Sequence, residues 1–253
     1  MVCVDSRSLE GCSIRRLQSV IKIEEETVSL RAGSETLVIC QRSSSIMCSV
    51  ALSYYLLTQR RELVRDKRVL EVACRSGLAG IAASHAGAKK VTLLVPPEGY
   101  DAVRRGVRAS NAPHTELALL RCGQKVREDY DVVLVSDAIL SDACVEPLVA
   151  ILESCLLGRA HHPFAIVAWQ RRNAMRERRI LEALRGKFDI SVMADLPDLP
   201  PDALTVSTKE AVAPLLASSS RIFLRVEPMG SAPGHDRFSF EEGMPLTYRH
   251  FSL

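Results

Sequence analysis

The chain is poor in what holds small secreted proteins together and in what carries a protein to a membrane or a nucleic acid. Its eight cysteines (Cys3, Cys12, Cys40, Cys48, Cys74, Cys122, Cys144, Cys155) contain no C-x-x-C pair and several sit in apolar runs. That pattern reads as reduced, buried thiols, not as a disulfide framework or a zinc site. No apolar run approaches the ~18 residues of a membrane span, so no membrane partner is expected. A signal-peptide core is missing, and Asp5 and Glu10 count against a mitochondrial presequence. The expectation is an intracellular, cytoplasmic protein, with a mitochondrial location left open. Charge of one sign is not in excess either: the balance is +3, so no global field points to nucleic acid and any basic surface must be local. There is no internal repeat.

What is present is length and apolar content. With 253 residues, 47% of them apolar, the chain can bury a large core as one domain without staples. Residues 1–66 read as an amino-terminal β cap and a lead-in helix. IKIEEETVSL and ETLVICQ alternate apolar with polar residues as a half-buried hairpin does, broken at Gly33. SSSIMCSVALSYYLLTQRREL then opens on serine caps and carries Val50, Leu52, Tyr55 and Leu56 at helical spacing.

Residues 67–228 form the main body. Short β-rich runs (RVLEVA, KVTLLV, ELALLR, DVVLVSD, PFAIVAW) alternate with helical segments expected at Leu78–Ala86, Glu98–Ser110, Asp142–Leu156 and Asn173–Arg185. Alternation at this spacing argues for βαβ crossovers: an α/β, Rossmann-like, mostly parallel sheet with helices on both faces. FDISVMADL and RIFLRVEP read as an antiparallel hairpin at the sheet edge, joined by a long Pro- and Ser-rich insertion at 197–220. Residues 229–253 are a tail without a clear period.

Open sheets of this kind bind ligands beyond the carboxyl ends of their strands, first of all at the first strand-to-helix turn. That turn is EVACRSGLAG. Nucleotide-like ligands need glycines there for close backbone approach, and an acidic residue ending the next strand to accept from ribose hydroxyls.

These segments resemble a known family. EVACRSGLAG, the strand end VTLLVPPE, DVVLVSDAIL and EPLVAILESCL occur in the order found in the methyltransferase family 16 lineage of protein-lysine methyltransferases, and LVICQRSSSIMCSVALSYYLL resembles that family's approach to its first Rossmann strand. The resemblance covers roughly residues 37–226. It implies the class I methyltransferase fold, with a seven-stranded sheet, and S-adenosylmethionine (SAM) as cofactor if the chain is active, or no cofactor if it is not.

The family's first turn typically reads E-L-G-x-G-x-G-L. Here Glu71, Gly77 and Leu78 are kept, while Ala73, a mild change, and Arg75, a severe one, stand at the first two glycine positions. The ribose-binding acid falls on Val95; Glu98, three residues on, aligns with a separate family residue and is a poor substitute. An aspartate and a tryptophan that hold the adenine end fall on Arg121 and Cys122, and the D-x-x-Y motif near the target lysine becomes Asp137, Ala138, Ile139, Leu140. Asp137 is the candidate catalytic residue, to orient the target amine; its competing role is capping the helix that starts near Asp142. Glu71 would support the cofactor loop, or simply bond loop amides.

Three other features are weighed on their residues. The helix from Arg171 to Arg185 is arginine-rich and could meet RNA or an acidic protein surface, but a solvated face with local pairs to Glu177 and Glu182 is favoured. Trp169 reads as a core aromatic before a target-side residue. His161 and His162 lack partners at metal-ligand spacing. Two readings of function follow: an interaction or scaffold subunit of a larger assembly, in the extreme a ribonucleoprotein, whose SAM site has decayed; and an active SAM-dependent protein-lysine methyltransferase. Four altered site positions on an intact strand and helix pattern favour the first.

Overall fold

A computed structural model describes residues 28–32, 34–39, 47–121, 124–137, 144–170, 173–193, 204–206 and 221–230. In chain order the elements are β1 (Val28–Ala32), β2 (Glu35–Ile39), α1 (Met47–Thr58), β3 (Arg68–Val72), α2 (Leu78–His85), β4 (Lys90–Val95), α3 (Tyr100–Ala109), β5 (Thr115–Leu119) and β6 (Val132–Ser136). They continue with α4 (Val145–Leu156), β7 (Phe164–Gln170), α5 (Ala174–Arg185), β8 (Phe188–Val192), β9 (Leu204–Val206) and β10 (Arg221–Pro228).

A seven-stranded sheet runs in the order β5-β4-β3-β6-β7-β10-β8. The first five are parallel; β10 is antiparallel to both of its neighbours. Strands β3, β4 and β6 read RVLEV, KVTLLV and VVLVS and are buried almost throughout, as parallel strands covered on both faces must be. Alternate residues split the core in two. Val69, Leu93, Val95, Leu134 and Ile166 point toward α1 and α2. Leu70, Val72, Val133, Val135, Val167 and Trp169 point toward α4 and α5.

The doubly wound α/β fold expected from the sequence is therefore the fold of the chain. Helix α2 shows how closely its layers pack. Its sequence LAGIAASH is nearly all small residues, and a Cβ at Gly80 would lie 2.2 Å from Leu93 Cδ2, so only glycine lets the helix sit this close to β4.

Two expectations are refined. The hairpin β1–β2 forms in register, Leu30 opposite Leu37, but the insertion contributes β9 to its other edge, making a second, three-stranded sheet. The two late strands do pair antiparallel at the sheet edge, with β10 next to β7 and β8 outermost. The reason is visible in composition, since β10 carries the buried Phe223, Leu224 and Val226 while β8 ends in the exposed Ser191 and Val192. The serines expected to cap the first helix, the expected helix start at Asp142, most of the insertion and the tail beyond Gly230 lie outside the described residues.

Candidate functional site

The first turn is built around Glu71, the last-but-one residue of β3, whose side chain is fully buried on the α1/α2 face. Its Oε2 accepts the Gly80 amide at 2.7 Å, and its Oε1 lies 3.2 Å from the Ser136 hydroxyl. The amide partner is thus in the first turns of α2 and not in the loop. Burial, reinforced by the nearby Asp137 and opposed by these two bonds, pushes the Glu71 carboxyl up to about 7. Cys74 closes the turn onto the next strand, donating its amide to the Leu94 carbonyl at 3.2 Å, and its buried thiol is held well above the ordinary range, by burial first and Glu71 second.

Ala73 is not a mild change. Its φ is +52°, in the left-handed region where a side chain other than glycine's costs about 1–2 kcal/mol. The kept glycine, Gly77, also has positive φ, +70°, at the N-cap of α2. Its missing Cβ faces the protein's own core: one built there would lie 2.7 Å from Val103 Cγ1 and 3.1 Å from Leu93 Cδ1. The fold alone therefore requires it.

Val95 ends β4 with none of its surface accessible, packed in the α1/α2-side core. Across the following turn (residues 97–99), a Cβ at Gly99 would lie 3.7 Å from Val95 Cγ1 and 3.9 Å from the Arg75 carbonyl oxygen, so the two loops meet in ordinary packing contact. Glu98 is exposed on that turn. Arg75 is half-buried, and none of the described residues pairs with its side chain. At the position where the resemblance places the ribose-binding acid, Val95 presents an enclosed apolar side chain that can accept no hydrogen bond.

Asp137, immediately after β6, has φ +52° and is buried. It caps α1; the expected helix start near Asp142 lies outside the described residues. Its Oδ2 accepts the Cys48 and Ser49 amides, both at 3.0 Å, and the Ser49 hydroxyl at 3.3 Å, which closes the amino end of α1. Burial pushes its carboxyl up and the amides pull it back; an anion there also meets the favourable end of the helix dipole. The Ser49 and Ser136 hydroxyls are 2.9 Å apart. They join Asp137 to Glu71 through two side chains that the motif reading passed over. Their signal was a serine ending an otherwise apolar strand, VVLVS, and a second in an apolar helix.

The other candidates are not drawn together. Cys122, Ala138, Ile139 and Leu140 lie outside the described residues, as do Arg171 and Arg172; Arg121 is exposed, its amide bonded to Gln124 Oε1. Trp169 is a core aromatic at 4% exposure whose Nε1 has no hydrogen-bond partner among the described residues. His161 donates from Nε2 to the Tyr130 carbonyl at 2.9 Å, and no metal-binding cluster occurs among the described residues. On α5, Arg178 pairs with Glu182 and Arg179 with Glu146 of α4, while Asn173 accepts the Arg176 amide as N-cap. Glu177 is buried and accepts the Asn173 amide. Four described cysteines, the buried Cys48, Cys74 and Cys155 and the half-buried Cys144, are not in disulfides, and no described helix is long and apolar enough to cross a membrane.

Comparison with known proteins accords with this architecture. No curated protein matches the chain. Among solved structures it is similar to a methyltransferase complexed with S-adenosylhomocysteine, at 12% identity and TM-score 0.52, covering 79% of this chain and 56% of that one. It is also similar to a SAM-dependent methyltransferase from Streptococcus mutans, at 15% identity and TM-score 0.53, covering 79% and 55%. The chain thus spans little more than half the length of these structures, and at such identities they show the fold alone. The family model described as lysine methyltransferase matches residues 42–186, more than half of the chain and every element from α1 to α5, and the chain belongs to the lysine methyltransferase family.

Proposed function

We propose that this chain keeps the methyltransferase fold without cofactor-dependent catalysis and serves as an interaction subunit of a larger protein assembly. The observation that carries the reading is Val95: the ribose position is an apolar side chain with no accessible surface. Two others support it. The retained Gly77 is explained by packing against Val103 and Leu93 without any ligand, and the candidate catalytic Asp137 is committed to the end of α1. The competing reading, an active SAM-dependent lysine methyltransferase, draws on family membership and needs a ribose acceptor from outside the described residues. RNA contact through the Arg171–Arg185 helix is the weaker proposal for a partner, because Arg178 and Arg179 already face carboxylates.

Thermal unfolding with and without millimolar SAM tests the loss of the cofactor. A ligand at ~100 times its dissociation constant adds about 2.7 kcal/mol, which is a rise of roughly 5 °C or more for a domain of this size. No rise is expected; a clear rise overturns the proposal. The assembly is tested by native size-exclusion of the endogenous protein, expected well above the 27.9 kDa of one chain. Elution as a free monomer refutes the subunit role.

A further inference from the structure

Glu71, Ser136, Ser49 and Asp137 form a continuous row of buried oxygens: Glu71 Oε1 to Ser136 Oγ at 3.2 Å, Ser136 Oγ to Ser49 Oγ at 2.9 Å, Ser49 Oγ to Asp137 Oδ2 at 3.3 Å. All four residues are 6% exposed or less. A hydroxyl carries one proton, and an ionised carboxylate carries none. With both acids ionised, the row has two protons for three contacts. If Ser136 donates to Glu71 and Ser49 to Asp137, the shortest contact, between the two hydroxyls, holds two bare oxygens. If Ser49 turns to Ser136 instead, no proton lies between its oxygen and Asp137 Oδ2, and Asp137 is held by the Cys48 and Ser49 amides and the Cys48 side chain. Either arrangement leaves two buried oxygens in close approach with no proton between them.

One added proton fills every contact in a single direction. Glu71 Oε1–H donates to Ser136, Ser136 to Ser49, and Ser49 to Asp137, while Glu71 Oε2 still accepts from Gly80. The proton belongs on the Glu71 end. Asp137 accepts two main-chain amides and sits at a helix amino end, which favours the anion there; Glu71 accepts one. We propose that the row from Glu71 to Asp137 is a proton-binding site, with Glu71 the neutral acid and Asp137 the carboxylate in the folded protein at mildly acidic pH.

The groups facing Glu71 agree with this assignment. From β6 it meets Ser136 and the anionic Asp137, from α2 the Gly80 amide, from the turn the Cys74 thiol, and Asp137 is the only charged group that acts on it among the described residues. No cation among them compensates an ionised Glu71. Burial raises its carboxyl from the ordinary 4.5 to about 7. The assignment stands whether or not a cofactor binds, because every atom in it belongs to the chain.

An acid whose folded value is raised stabilises the fold fully below its unfolded value, and that stability is lost as pH rises through the folded value. The experiment is urea unfolding from pH 4 to 8 for the wild type and for Glu71→Gln. The substituted amide side chain offers a donor on one side and an acceptor on the other, the same pattern as the neutral acid. The ratio of wild-type to variant folding constants is expected to fall roughly tenfold per pH unit between about 5 and 7 and to level off above. The variant is expected to fold and to be at least as stable as the wild type at pH 8. Infrared difference spectra of the folded proteins at pH 6 should show a carboxylic-acid carbonyl band that Glu71→Gln removes. A variant that fails to fold or is weaker than the wild type at pH 8, a flat ratio across this range, or no removable acid band each overturns the proposal.

Discussion

Replacement of Gly77 by alanine separates a glycine kept for the fold from one kept for a ligand. The methyl group enters at φ +70° and 2.7 Å from Val103 Cγ1, well inside contact distance, with Leu93 Cδ1 at 3.1 Å. The left-handed backbone costs about 1–2 kcal/mol for a residue with a Cβ. Val103 is 1% exposed on α3 and cannot swing into solvent, so the overpacking adds about 1–3 kcal/mol. The expected loss is about 2–5 kcal/mol, or roughly 5–15 °C in the unfolding midpoint, measured by thermal and urea unfolding without any ligand. The double variant with Val103→Ala isolates the steric part: it should recover about 1–3 kcal/mol relative to the sum of the two single changes. If Gly77→Ala leaves the ligand-free protein unaltered, the glycine is not held by packing and the argument drawn from it for a cofactor-free fold is refuted.

Three further changes probe the same site. Asp137→Ala should cost about 2–4 kcal/mol in urea unfolding, because it removes a helix cap and leaves the buried Cys48 and Ser49 amides short of an acceptor; a loss under about 1 kcal/mol contradicts the capping role. Ala73→Gly should be neutral to stabilising by up to about 1 kcal/mol, since relief of the left-handed strain exceeds glycine's entropy cost; clear destabilisation contradicts the strain. Val95→Asp, which restores the family's acid, should lose about 3–5 kcal/mol by enclosing an unpaired carboxylate and gain no SAM binding in a calorimetric titration. Binding restored in a stable variant refutes the closed character of that position.

The fold was legible because its signal is repeated. Each of RVLEV, KVTLLV and VVLVS is a short apolar run of strand length, and the segments between them carry helical periodicity. The antiparallel edge pair was legible, but which of its two strands lies inside was not, since that depends on which run can be buried on both faces and not on order in the chain. At the site, the identity of each altered residue was readable but its consequence was not. Ala73 reads as a small residue until its positive φ is known. Asp137 reads as a cap for the helix that follows it, whereas the strand end carries it to a helix 88 residues earlier. Contacts at that separation leave no local pattern, and the same holds for the serine pair, whose meaning lies in a 2.9 Å approach between α1 and β6.

The position of β10 bears on how the chain is made. Strand β7 is complete at Gln170, and its edge pairs along Ala165–Gln170 with a strand that begins at Arg221. At ribosomal speed the roughly 50 intervening residues take about 3 to 10 s. For that interval the nascent sheet ends in an unpaired row of amides and carbonyls flanked by Ile166, Val167 and Trp169, the kind of edge that recruits another strand from a neighbouring molecule. Translation pauses between 170 and 221 extend this window and faster synthesis shortens it, so yield in a recombinant host should follow the codon usage of that stretch even though the encoded protein is unchanged.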